Sequence, residues 1–227
     1  MHTQTPGGIT MIDLKEFRTK LRTFNQRYMR EFDGFWRWKL QIETKNDHIL
    51  DDAHRQEACR RLWTILRGWQ AYRPYDSTAC LRILEDSLGK MADAYNEIRS
   101  YSLLEFNEVP NKSLELIWHE LGRVKEEGGK RNVSVYYYIV SLSKHLMFLW
   151  GQTLAFDSRV RTRIPWYYNA PKDNRWCLKD WKRVMRRFQE DLRRDQEVLR
   201  AFKDESVRRY KTDSIIPYGR FLDIYYH

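Results

Sequence analysis

Apolar residues recur along this chain at spacings of three and four, the period of helices that bury one face. Leu14, Phe17, Leu21, Phe24, Tyr28 and Phe32 form the first stripe. Asp13 with Glu16 three residues on predicts its capped start, and Asp33-Gly34 its end. Phe35, Trp36, Trp38 and Leu40 follow in a short segment that the pattern does not assign. A helix is predicted from Asp52 to Tyr72, with Ala58, Leu62, Ile65, Leu66 and Trp69 on one face and Pro74 stopping it. Asp76 or Ser77 then caps a long helix carrying Leu81, Leu84, Leu88, Met91, Tyr95 and Ile98. Pro110 breaks the chain, and Asn111 caps a helix with Leu114, Ile117, Leu121 and Val124. Gly128-Gly129 reads as a loop.

The run VSVYYYIV, Val133 to Val140, has strand propensity. It continues into SLSKHLMFLW without a turn residue, and nothing nearby reads as a partner strand, so a helix is predicted there. Gly151 ends it, a short crossing leads to Phe156, and Asp157 opens an arginine-rich helix, DSRVRTRI. After the loop PWYYNAPKDNRW, one helix is predicted from Leu178 to Tyr210, and Pro217-Tyr218-Gly219 introduces a last amphipathic piece, RFLDIYYH. The expected class is all-α: one compact multi-helix domain over residues 1–227, with two helical lobes, 11–127 and 130–227, sharing a cleft as a variant.

Charge narrows the function. Lys and Arg total 41 against 31 acidic residues, a formal +10, and 15% of the chain is aromatic. That balance is the electrostatic footprint of a protein that grips phosphate backbones. The cysteines, Cys59, Cys80 and Cys177, are far apart and suggest neither a zinc site nor a disulfide framework, which fits a reducing compartment, the cytoplasm or nucleoid. His48, His54, His119 and His145 make no metal-ligand spacing, so no metal or cofactor is expected. No signal peptide or membrane span of ~20 apolar residues is visible, so no membrane partner is expected.

The segment Ser143 to Ile164, SKHLMFLWGQTLAFDSRVRTRI, concentrates the candidate chemistry. Its Ser-Lys at the start of an amphipathic helix, the apolar run, and an Asp that opens the next helix ahead of Arg-Val resemble the helix–hairpin–helix DNA glycosylase superfamily, in particular its bacterial eight-oxoguanine-glycosylase-like branch. The closing RFLDIYYH is similar to that family's C-terminal Arg-x-x-Asp helix. The resemblance spans about a fifth of the chain, and RNVSVYYYIVS stands where the family has a glycine-rich hairpin. It implies an enzyme that flips a damaged or modified base out of double-stranded DNA and excises it, with Lys144 as nucleophile and Asp157 as activating carboxylate, and with AP-lyase activity as an option. Such an enzyme would serve base-excision repair or defence against modified phage DNA. Trp150, Phe156, Trp166, Tyr167, Tyr168 and Trp176 surround the pair in sequence and are expected to wall the base pocket. Arg159, Arg161, Arg163, Lys130 and Arg131 are expected to hold DNA, only one or two of the three arginines reaching the same phosphates.

Plainer readings exist for the same residues. On spacing alone Asp157 is an N-cap and Lys144 a solvated side chain. The cluster Met147-Phe148-Leu149-Trp150 reads as core, and Arg186-Arg187 and Arg193-Arg194 as a solvated helix face among acids. The alternatives to an enzyme are a non-catalytic helical module that binds DNA or RNA, or sits in a defence complex, and a helical interaction protein whose basic surface is incidental.

Overall fold

A computed structural model of the chain describes residues 12–45, 47–72, 77–127, 139–173 and 175–227. Gly128-Gly129, Pro74, Lys130, Arg131 and most of RNVSVYYYIVS lie outside the described residues. Among those described the structure is all-α: α1 (Leu14–Thr23), α2 (Gln26–Glu43), α3 (Asp52–Gly68), α4 (Ser77–Lys90), α5 (Ala92–Ile98), α6 (Asn111–Glu126), α7 (Ile139–Trp150), α8 (Ser158–Arg163), α9 (Leu178–Arg194), α10 (Gln196–Tyr210) and α11 (Tyr218–Tyr226). Short 3-10 turns at Leu103–Glu108 and Trp166–Tyr168 join them. No described helix is long and apolar enough to cross a membrane.

Three predicted helices are each two. The first stripe breaks at Phe24-Asn25, where the Asn25 side chain accepts from the amides of Arg27 (3.0 Å) and Tyr28 (3.4 Å) and starts α2. The helix does not end at Asp33-Gly34. The Asp33 carboxylate is spent on tertiary bonds, accepting from Tyr210 Oη at 2.7 Å and Arg209 Nη1 at 2.9 Å, so it ties α2 to α10 instead of terminating a turn. The unassigned Phe35–Leu40 segment is therefore the second half of α2. Met91 separates α4 from α5. Asp195 separates α9 from α10 by capping the Val198 amide at 3.0 Å. The Asp52 helix ends at Gly68 rather than Tyr72, with Gln70 at φ 60° turning the chain.

One hydrophobic core runs from Ile12 to Tyr226, and it contains the Met147–Trp150 cluster, each residue fully buried. The first and last described helices meet in it: α1 packs on α11, with the Phe17 ring centroid 6.2 Å from that of Phe221 and 5.0 Å from that of Phe202 on α10. Helix α7 lies at the centre, every residue from Ser141 to Trp150 buried, and it contacts α2, α3 and α6. A helix buried on all sides is expected to be apolar all round, which makes a lysine on it exceptional. The Arg186-Arg187 and Arg193-Arg194 pairs face solvent, Arg187 reaching Glu190 at 2.8 Å.

Candidate functional site

Lys144 is that lysine, and it sits in the middle of α7 rather than at a helix start, because the helix already begins at Ile139. It is 9% exposed, its Nζ donates to the Trp69 carbonyl at 2.8 Å, and burial pushes its pKa below the ordinary lysine value while the charges of Asp157 and Asp223 push back. The residue before it explains the geometry of the pair. Ser143 Oγ accepts the Phe156 amide at 3.0 Å, which pins the end of the crossing to α7 and sets Asp157 beside the lysine. Asp157 is the N-cap of α8: its Oδ1 accepts from the Arg159 and Val160 amides at 2.9 and 3.1 Å. The other oxygen, Oδ2, lies 3.9 Å from His227 Nε2. The cap and the approach to His227 thus involve different oxygens of one carboxylate.

Both side chains open on a cavity of about 590 Å³ lined by α1, α2, α8 and α11 together with the turn after α3. That volume falls in the ~300–1,000 Å³ range of small-molecule sites. Among the described residues its lining carries the cations Lys20, Lys144, Arg159, Arg163 and Arg220 against two carboxylates, Asp157 and Asp223. The basic excess of the chain is therefore present at this site.

The floor comes from α11. Arg220, 1% exposed, donates from Nη1 to Asp223 Oδ2 at 2.6 Å, and its guanidinium lies over the rings of Phe24 (4.9 Å), Phe32 (5.0 Å) and Trp69 (5.4 Å). Asp223 Oδ1 accepts the Ala155 amide at 3.0 Å. Burial pushes the Asp223 carboxyl up to about 6, with Arg220 pulling down and Asp157 adding to the rise. Gly219 makes this approach possible. A Cβ there would sit 2.2 Å from the Thr153 nitrogen and 2.4 Å from its oxygen. Only a glycine lets α11 begin against the α7–α8 crossing.

The aromatic walls differ from expectation. Phe24, Tyr28 and Trp69 line the cavity, the Tyr28 and Trp69 rings 4.7 Å apart. None of the six aromatics expected there does. Trp150 is core, its Nε1 donating to the Tyr101 carbonyl. Phe156 and Trp176 pack on each other at 4.8 Å, both fully buried. Tyr168 is buried and Tyr167 half-buried, both donating to Asp191, and Trp166 stands 87% exposed. Proximity in sequence to Asp157 failed as a guide because four of these rings are buried in the core, Tyr167 is tied to Asp191 and Trp166 stands in solvent.

The arginines divide as helical spacing requires. Arg159 and Arg163, four apart, line the cavity. Arg161 is turned inward and donates from Nη1 to the Phe156 carbonyl at 2.8 Å, so it serves the fold of the crossing rather than the cavity. Lys130 and Arg131 lie outside the described residues.

Sequence reasoning did not place Lys20, Arg220, Asp223, Phe24, Tyr28 or Trp69 in the site. The Arg-x-x-Asp spacing on the last helix was a visible signal for two of them. The rest sit on ordinary amphipathic stripes. Among the described residues, no group of three or more His, Cys, Asp or Glu side chains is placed to hold a metal ion. No family model, curated protein or solved structure matches this chain.

Proposed function

We propose that this chain is a DNA N-glycosylase that takes a damaged or modified nucleotide, extruded from the duplex, into the cavity beneath Lys144 and Asp157 and excises its base. The observation that carries the reading is the convergence of these two side chains, thirteen residues apart in sequence, in one cation-rich cavity with aromatic walls. The aromatic faces offer stacking surfaces for a base, and Arg159 and Arg163 on α8 offer charge to its phosphates.

The chemistry follows from the environment of each group. Burial shifts Lys144 toward the neutral amine, which is its nucleophilic form. Its Nζ attacks C1′ as the bond to the base breaks, and the base leaves with the electron pair and takes up a proton. Positive charge builds on the sugar in that step, and the Asp157 carboxylate stabilises it. Opening of the C1′–O4′ bond, with a proton to O4′, then yields a Schiff base between Lys144 and the sugar, which is the entry to strand cleavage.

The test is base release and borohydride trapping on a panel of duplexes bearing damaged and modified bases. The wild-type chain is expected to release at least one base and to leave a trapped covalent complex. Lys144→Gln should trap none, and Asp157→Asn should release base far more slowly. Absence of release from every duplex, or equal release by both variants, overturns the proposal. The base released also separates repair of damage from defence against modified phage DNA.

A non-catalytic nucleic-acid-binding module is the second reading. It draws on the structural duties of the same two groups, the cap that Asp157 gives α8 and the bond from Lys144 to Trp69. Binding that weakens steeply with salt, without base release, would establish it.

A further inference from the structure

We infer that Trp166 stacks on the bases of DNA bound over the cavity, beside the position of the extruded nucleotide; this rests on the nucleic-acid part of the reading above. Of the nine tryptophans, six are buried, Trp38 and Trp63 are half-buried, and Trp166 alone stands out in solvent, 87% exposed. Its exposure is built into the fold. Pro165 holds the start of the 3-10 turn, and Asn169, in the left-handed region at φ 51°, closes it with its amide on the Trp166 carbonyl at 3.1 Å. From below, Tyr168 and Tyr167 anchor the turn by donating to Asp191 at 2.6 and 3.3 Å. Tyr167 meets the indole edge-on, its ring centroid 6.1 Å away. The indole is thus carried on a fixed pedestal, which lowers the ordering cost of any contact it makes.

Its position selects the partner. Trp166 follows Arg163 by three residues, so its Cα lies no more than ~11 Å from the Cα of a residue that lines the cavity. Arg159 and Arg163 before it in the chain and Lys172 after it are exposed. An aromatic face beside cations is the arrangement that binds nucleic acid, bases stacking on the ring while the cations track phosphates. Extruding a nucleotide leaves a gap in the base stack, and an apolar side chain entering such a gap keeps it open. A bilayer anchor would instead call for several exposed apolar residues together. Among the described residues, the other large exposed apolar side chains, Leu116 and Val207, lie on α6 and α10.

The experiment compares wild type, Trp166→Ala and Trp166→Phe in the full chain. The probe is a duplex with a tetrahydrofuran abasic analogue flanked by 2-aminopurine, titrated at several salt concentrations. Trp166→Ala should raise Kd about tenfold, leave the slope of log Kd against log salt unchanged, and lose the 2-aminopurine fluorescence change. Trp166→Phe should keep most of the affinity, since any aromatic face stacks. Trp166→Ala binding within twofold of wild type overturns the inference, as does an equal loss in Trp166→Phe. So does a Trp166-dependent association with phosphatidylserine vesicles when DNA binding is unaffected. The probe has no base to release, so the result is independent of excision. Trp166-dependent binding without base release anywhere would sink only the glycosylase reading, whereas excision with unaltered Trp166→Ala binding would sink only this one.

Discussion

The Gly219 amide donates to the Gly151 carbonyl at 2.9 Å, and that bond joins the start of the last helix to the turn that ends α7. Through it α11 delivers Arg220 and Asp223 beneath Lys144 and Asp157. Gly151 has φ 78°, and a Cβ there would meet the Trp36 ring at 2.3 Å. Both glycines are therefore required for space, and Gly151 for conformation as well.

Alanine at these positions should be costly for different reasons. Gly219→Ala forces backbone apart and is expected to lose about 2 kcal/mol or more, a fall in Tm of roughly 4–8 °C. Gly151→Ala adds left-handed strain to a clash with a fully buried indole and should cost at least as much. Gly34→Ala is the control: apart from the local backbone of α2 itself and its chain neighbours, nothing lies within 4 Å of where a Cβ would sit, so it should stabilise by up to ~1 kcal/mol. Thermal unfolding of the three variants checks the order.

Lys144→Met should separate stability from function. Methionine occupies a similar volume without the cost of burying an amine, and only one hydrogen bond, to Trp69, is lost. The variant is expected to unfold at or above the wild-type Tm and to give no borohydride-trapped complex. A large fall in Tm would instead mark Lys144 as a structural residue.

Asp157→Asn should separate the cap from the charge. Asparagine caps a helix as well as aspartate does, so stability should change by less than ~1 kcal/mol, whereas Asp157→Ala should lose ~1 kcal/mol. Under the proposed chemistry, loss of the carboxylate should slow base release by about 10²-fold or more. Single-turnover release measured beside chemical denaturation reads both effects.

Two buried groups should set opposing pH dependences. Folded Asp223 keeps its proton up to about 6, whereas the unfolded chain gives it up near ~3.9. Its contribution to stability is complete below ~4 and is lost as pH rises through about 6. Burial pushes His145 down to about 4, its ring held between Tyr72 Oη and the Ser141 carbonyl. The unfolded histidine takes up a proton near ~6.5, so the stability His145 contributes is lost as pH falls from there toward 4. Each contribution is on the order of 3 kcal/mol, so between pH 4.5 and 6.5 they largely cancel. Relative to wild type, Asp223→Asn should become less stable as pH falls across that window, and His145→Gln as pH rises. Denaturation curves at three pH values test both slopes, because the surface ion pairs are common to all three proteins.

The all-α class, most helix starts and the Lys144–Asp157 pair are readable in the chain. Helix period, capping side chains and the Ser-Lys and Asp-Ser-Arg-Val patterns are local, and they survive folding. The breaks at Asn25 and Asp195 carried the same kind of signal, a cap residue within a continuous stripe. Asp33 illustrates the reverse. It resembles a helix end, yet it lies inside α2 because Tyr210 and Arg209, far along the chain, take up its carboxylate.

The walls and floor of the cavity were decided by tertiary structure. Periodicity says that Phe24, Tyr28 and Trp69 turn away from water, but a face buried in the core and a face lining a cavity have the same period. Which it is depends on where α1, the end of α3 and α11 meet, and that meeting depends on close backbone contact at Gly219 and on long-range bonds such as Lys144 to Trp69 and Asp223 to Ala155. The sequence by itself determined the helices and the two groups nearest the proposed chemistry. Only packing decided which aromatics face the cavity, which of the arginines reach it, and that Trp166 faces solvent.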